Sequence, residues 1–276
     1  MRLLLQVSAA ATAFKSAFHR PALPRITHSH PPPNPPRLLR RTRLSSMADN
    51  QVSGGDVAGL TPEVETMRRL VSRDPLGGWQ KCWEEAVTPW DLGQPTPILL
   101  HLLQTDSVPT GRILVPGCGS GYDVIALAGP ERYVIGLDVS DTALGRAREL
   151  SSRSPMGKYC TFLKEDFFKW KPTELFDVVF DYTFFCAIDP NMRSAWARCM
   201  SELLKSDGEL ITLMFPIDDH VGGPPFTALV ADYEAVLCPL GFQLVLIEEN
   251  ELAIGRRKGM EKLGRWKRTS AKPSSL

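Results

Sequence analysis

Two features of the chain pair residue types with spacings that could do chemistry. The first is the run Ile113-Leu114-Val115-Pro116-Gly117-Cys118-Gly119-Ser120-Gly121, in which an apolar strand breaks into three alternating glycines. Glycine is what the backbone needs where it turns sharply and a ligand must come close, and the N–H groups opening the next helix have no partners of their own. A plain tight turn would look the same. The second is Asp138, which closes Val134-Ile135-Gly136-Leu137-Asp138. An acid about 20 residues past such a loop can accept both ribose hydroxyls of a nucleoside cofactor. Capping of the next helix is the competing role, and Ser140 or Asp141 fills it better.

A dinucleotide places its pyrophosphate at the loop and favours GxGxxG, whereas the third glycine here comes one residue earlier. That spacing leans to S-adenosylmethionine (SAM) over NAD. Other reactive groups are sparse. Cys118 sits inside the loop without a thiolate partner and reads as small packing. His220, in a loop from Ile217 to Phe226, reads as exposed polar surface. No His/Asp or Cys/His dyad stands out, and the six cysteines show no CxxC pair, so no metal site is expected. A reducing compartment fits them.

Alternating elements must carry the loop and the acid. A helix from Pro62 behind a Thr61 cap bears Val64, Met67, Leu70 and Val71 on one face. A short helix with Trp79 and Trp83 and another from Pro97 to Gln104 follow. Strands are expected at 112–116, 133–139, 159–164, 175–181, 209–215 and 242–247, with a last one near 263–267. Helices are expected at 122–128, 141–150, 191–204 and 226–237. Continuous apolar strands alternating with helices predict an α/β fold, a mostly parallel sheet covered on both faces.

Charge divides the chain unevenly. Residues 1–48 hold eight Lys or Arg and no acid, while the remainder carries 24 basic against 31 acidic residues. So acidic a remainder disfavours a nucleic-acid partner and favours a small-molecule one. Residues 1–46, rich in Arg, Ser and Pro, read either as a chloroplast or mitochondrial transit peptide or as an extension ahead of a second start at Met47, which leaves the protein cytoplasmic. The segment 1–59 is set aside as extension and linker, and 60–276 is taken as the folded domain. No stretch approaches the roughly 20 apolar residues of a membrane span.

Several stretches together resemble the plant thiol and halide methyltransferases of the HOL type, relatives of thiopurine S-methyltransferase. They are GGWQKCWEEAVTPWDLGQPTP (77–97), LVPGCGSGYDV (114–124), GLDVS (136–140), EDFF (165–168), FDYTFFCAI (180–188) and GRWKR near the C-terminus. The resemblance implies a Rossmann-like SAM-dependent methyltransferase with a seven-stranded sheet and an N-terminal helical lid, acting on thiocyanate, bisulfide and halide ions. An organic thiol or thiopurine substrate, or a noncatalytic SAM-binding module, are the alternatives. Carried over by position, the cofactor site comprises Trp79, Trp83, Trp90, Gly117, Asp138, Asp166, Phe167 and Tyr182, and no catalytic residue is assigned. Indole faces attract a sulfonium cation and exclude water. Asp166 is expected at the end of the third strand to take the adenine amine, Phe167 to pack on the ring, and Tyr182 to end the fourth strand.

Overall fold

The computed structural model describes residues 61–268, so the extension 1–59 lies outside the described residues. Helices α1 (Pro62–Arg73), α2 (Gly77–Glu84) and α3 (Pro97–Gln104) precede the sheet. Then come β1 (Gly111–Pro116), α4 (Tyr122–Leu127), β2 (Arg132–Asp138), α5 (Asp141–Ser152), β3 (Cys160–Lys164), β4 (Phe176–Tyr182), α6 (Arg193–Leu203), β5 (Leu204–Met214), α7 (Val230–Leu237), β6 (Phe242–Glu249) and β7 (Lys262–Arg268). The seven strands form one sheet in the order β3-β2-β1-β4-β5-β7-β6, in which β7 runs antiparallel to both its neighbours.

Period-two patterning builds this sheet between two cores. Ile113, Val115, Val134, Val178 and Phe180 face one side, under α3, α4 and α5. Their chain neighbours Leu114, Ile135, Leu137 and Val179 face the other, with Trp196, Met200, Tyr233 and Trp266. A strand buried on both faces has no polar alternate, which is why these runs read as unbroken apolar sequence. Helix starts follow local capping. The Thr61 hydroxyl accepts from Val64 N–H and the Ser140 hydroxyl from Ala143 N–H, each satisfying an otherwise unpaired donor.

The structure departs from expectation in three places. Helix α7 starts at Val230, four residues later than expected from Phe226. The amides of Phe226 and Ala228 donate to the carbonyls of Cys186 and Pro216, so they are spent on neighbouring segments. Strand β5 starts at Leu204, where Leu204 pairs with Phe176 ahead of a register shift. Asp166 does not end β3, which stops at Lys164.

Because β1, β2, β3, β4 and β5 run parallel, their carboxyl ends share one edge. The chain proceeds outward from β1 to β3, then crosses back to β4, so β1 and β4 flank the point where ligands settle in open α/β sheets.

The end of β4 is tied down by a fully buried acid. Asp181 accepts from the Trp196 indole N–H at 2.8 Å and from Phe185 N–H at 3.2 Å, joining β4 to α6 and to the segment after the strand. Burial pushes its carboxyl up to about 6 from the ordinary 3.8, a rise that these donors only partly offset. A carboxyl raised in the folded state stabilises the fold most at low pH, and that contribution is lost as pH climbs through the folded value. Relative to Asp181→Asn, which does not titrate, the wild type should therefore lose on the order of 2–3 kcal/mol between pH 4 and pH 7. Urea denaturation of both proteins across that range checks this, and parallel stability curves would refute it.

Candidate cofactor and substrate site

The turn after β1 is a left-handed passage, with φ of +61° at Gly117, +52° at Gly119 and +74° at Gly121. Side chains are also excluded by contact. A Cβ on Gly117 would stand 2.6 Å from the Phe184 ring, and one on Gly119 would stand 3.0 Å from Trp83. The loop is thus faced directly by two aromatic rings.

Asp138 closes β2 beside it. One carboxylate oxygen accepts from Gly119 N–H at 2.9 Å and the other from Ser140 N–H at 2.9 Å. Desolvation raises its carboxyl, and the N–H groups of Ser140, Gly119 and Val139 oppose the rise. An ionised carboxylate offers about four acceptor directions. Two are committed to the backbone, which leaves two for a pair of hydroxyls. The donor set therefore fits a nucleoside cofactor held at its ribose.

Above the loop the three tryptophans gather. Trp79 and Trp83 each meet Trp90 edge to face, with ring centroids 5.2 and 5.8 Å apart. Trp83 is buried, while Trp79 and Trp90 are partly exposed over Met67, Val71 and Cys82. They form a small core of their own between α1, α2 and the strand edge. Polar bonds fasten this cap to the sheet. Gln80 bonds Ser140 and Thr142, Arg146 donates to the Trp83 carbonyl at 3.3 Å, and Ser120 donates to Asp91 at 2.9 Å. The backbone and hydroxyl of Thr96 both donate to Asp123 at 2.7 Å.

Tyr182 ends β4 as expected, but its hydroxyl is not free. It donates to Glu261 and accepts from Arg257. Arg257 also donates to the Trp90 carbonyl at 2.5 Å, and Asn250 donates to Glu261 at 2.6 Å. Burial pushes the phenol far above its ordinary range, and Arg257 opposes this. Arg257, Glu261 and Asn250 are all buried in the β6–β7 connection. Sequence reasoning missed them, although two charged residues four apart in a connection, Arg257 and Glu261, were the available signal.

Phe167 and Asp166 divide. Phe167 is 4% exposed and packs edge to face on Phe184, which brings it to the loop through that ring. Asp166 instead caps its own turn, accepting from Phe168 N–H at 3.0 Å with Lys169 at 3.0 Å. It joins the group only through Phe167.

His220 is not idle surface. It is half-buried, with Nδ1 2.6 Å from Asp218 and Nε2 2.9 Å from the Pro225 carbonyl, so both nitrogens are engaged. Arg68 of α1 donates to the adjacent Pro224 carbonyl at 3.0 Å, pinning the loop to the cap. The Cys118 thiol is held well above its ordinary range by burial, and next by the nearby Asp138 charge, in keeping with a packing role. Of two cavities, one lies away from the loop and the other touches this group at Phe167. One of about 400 Å³ is lined by Arg148, Ser151 and Phe162, and one of about 110 Å³ by Phe167, Trp170 and Leu203.

Comparison with known proteins shows the family and the fold. The chain is 58% identical over 219 residues to thiocyanate methyltransferase 1 of Arabidopsis thaliana, covering 79% of this chain and 96% of that one. It is 56% identical to thiocyanate methyltransferase 1 of Brassica oleracea, covering 80% and 99%. Among solved structures, the CcbJ methyltransferase of Streptomyces caelestis shares the fold, with a TM-score of 0.56 at 16% identity over 76% of this chain and all of that one. Residues 75–268 match thiopurine S-methyltransferase (TPMT), and the chain belongs to that family.

Proposed function

We propose that this protein transfers a methyl group from SAM to a small anionic sulfur nucleophile, thiocyanate foremost, with bisulfide and halide ions as further acceptors. The observation that carries the reading is Asp138. It braces the glycine loop through Gly119 and keeps two acceptor directions for a ribose, beneath a tryptophan of the cap. Similarity to the two plant thiocyanate methyltransferases supports the choice of acceptor.

SAM, when bound, supplies an electrophilic methyl on a sulfonium sulfur. The chain's own part is to bind, orient and dry the site. Asp138 holds the ribose, the amides of the glycine loop face the rest of the cofactor, and the indoles of Trp79, Trp83 and Trp90 favour a cation while excluding water. Tyr182 is fixed between Arg257 and Glu261, so its proton is already shared and its oxygen is a rigid wall of the site. His220 has both ring nitrogens engaged within the protein, one with Asp218 and one with the Pro225 carbonyl. An acceptor that arrives as an anion needs neither residue as a base.

Two outcomes test this. Asp138→Asn should weaken SAM about 10- to 150-fold, the equivalent of roughly 1.5–3 kcal/mol for a hydrogen bond to a charged group, with a smaller loss of thermal stability than Asp138→Ala, since its one amide oxygen can still accept from one of the two backbone N–H groups. Asp138→Ala should cost stability as well, because Gly119 and Ser140 lose their acceptor. Calorimetry and thermal melts separate the two effects, and unchanged SAM affinity in both variants would remove Asp138 from the cofactor site.

Turnover should also show how the acceptor ionises. With thiocyanate, kcat should stay flat around neutral pH, whereas the rate with sulfide should climb as bisulfide forms. Headspace gas chromatography of the methylated products gives both profiles. A shared bell-shaped profile that disappears on substitution of His220 or Tyr182 would mean that the enzyme itself supplies an acid or base.

A further inference from the structure

Gln80 lies on α2 between Trp79 and Trp83, and both ends of its amide are spent on one turn of the neighbouring layer. Its oxygen accepts from the Ser140 hydroxyl at 2.8 Å and from Thr142 N–H at 3.4 Å. Its nitrogen donates to the Thr142 hydroxyl at 2.8 Å and to Glu84 at 2.7 Å. Ser140 is fully buried, and its own N–H donates to Asp138. A continuous line of hydrogen bonds therefore runs from α2 through Gln80 and Ser140 to Asp138 and on to Gly119.

That line ties α2 to the turn beside the glycine loop. Trp83 is 2% exposed and stands against Gly119, so the face of the loop beside Asp138 is covered by α2. Gly117 is exposed and Gly119 and Asp138 are partly so, while the side of Gly119 toward Trp83 is the one that α2 closes. Apolar packing of Trp83 is non-directional and tolerates sliding, whereas the Gln80 bonds are directional and must break for α2 to move.

We infer that Gln80 is a positioning residue that latches α2, with its two tryptophans, onto the turn 138–142, and so sets how fast the S-adenosyl cofactor enters and its demethylated product leaves. The inference rests on the assignment of Asp138 to the ribose. The latch closes the site both empty and filled. Breaking it therefore speeds opening in both states and moves the equilibrium less than either rate.

Stopped-flow tryptophan fluorescence with S-adenosylhomocysteine reads this directly, since Trp79, Trp83 and Trp90 report on the cap. Gln80→Leu keeps the side-chain bulk and removes every bond. It should raise both association and dissociation rates about tenfold, the effect of losing one to two buried hydrogen bonds, while Kd changes less than threefold. Gln80→Glu keeps the acceptor oxygen for Ser140, loses the donor to Thr142 and to Glu84 and sets a second carboxylate beside Glu84, and should give rates about two- to fivefold above wild type. Amide hydrogen exchange on the ligand-free proteins should show faster exchange in residues 77–84, with 193–203 unchanged.

A helix that was merely less stable would lower the melting temperature without speeding association. Wild-type rates in Gln80→Leu overturn the inference, as does slower association. If Gln80→Leu does not fold, wild-type rates in Gln80→Glu overturn it instead. Failure of the underlying assignment looks different, because Asp138→Asn would then bind S-adenosylhomocysteine with unchanged Kd whatever the Gln80 variants do.

Discussion

The structure turns on the bond between the carboxylate of Asp138 and the amide of Gly119, 2.9 Å apart across the ends of two parallel strands. A left-handed glycine turn has no side chains to fix it, so its shape must be imposed from outside. Asp138 imposes it and at the same time holds the Ser140 turn that starts α5. One charged group thereby fixes two backbone segments that would otherwise be independent. A neutral side chain could bond both amides only weakly, and a longer acid would not reach both from the strand end. The cost is desolvation, visible in the raised carboxyl, and the two amides reduce it. Ribose hydroxyls arriving at the remaining acceptor directions would find an acid already oriented.

The cap repeats the same logic at larger scale. Its apolar part is small, built on Met67, Val71 and Cys82 with Trp79 and Trp90 packed against them, too little by itself to choose one orientation on the sheet. Orientation comes from polar bonds at its margins, through Gln80, Asp91, Thr96 and the Trp90 carbonyl. Each of these joins the cap to a residue close to the glycine loop or to the end of β4. Closing the cap and shaping the site are therefore one event, which packing alone would not ensure.

What could be read in the sequence was whatever is local. The apolar runs of β1 and β2, the glycine loop, the position of Asp138 and the Thr61 and Ser140 caps all depend on neighbours within a few residues, and they stand where expected. Readings failed where distant segments decide. Phe226 and Ala228 carry a helical-looking sequence, but their amides go to Cys186 and Pro216. Asp166 sits past β3 because that edge strand pairs only with β2 and runs out at Lys164. His220 looked like surface until Pro225 and Asp218 closed on it. The Arg257–Tyr182–Glu261 group draws on residues more than 70 positions apart, and nothing in either segment announces the other.

That last group also explains how a buried polar cluster can sit at the mouth of a site without taking part in proton transfer. Arg257, Glu261 and Asn250 bond one another and the Tyr182 hydroxyl, so every member of the cluster is already held by its neighbours. Removing any member would leave a buried charge or donor unpaired, at several times the net worth of one bond. Such a cluster is expensive to rearrange, and its stiffness passes to the cap, because the free arm of Arg257 holds the Trp90 carbonyl. The margin at Trp90 is thus anchored to a rigid, fully paired network. At the Gln80 margin the Gln80 bonds run to two neutral hydroxyls, the cheaper kind to break, beside the single charged contact of Arg146 with the Trp83 carbonyl. On the latch inferred for Gln80, the cap would pivot about the Arg257 side, and the difference between the two margins would set the direction in which the tryptophans leave the loop.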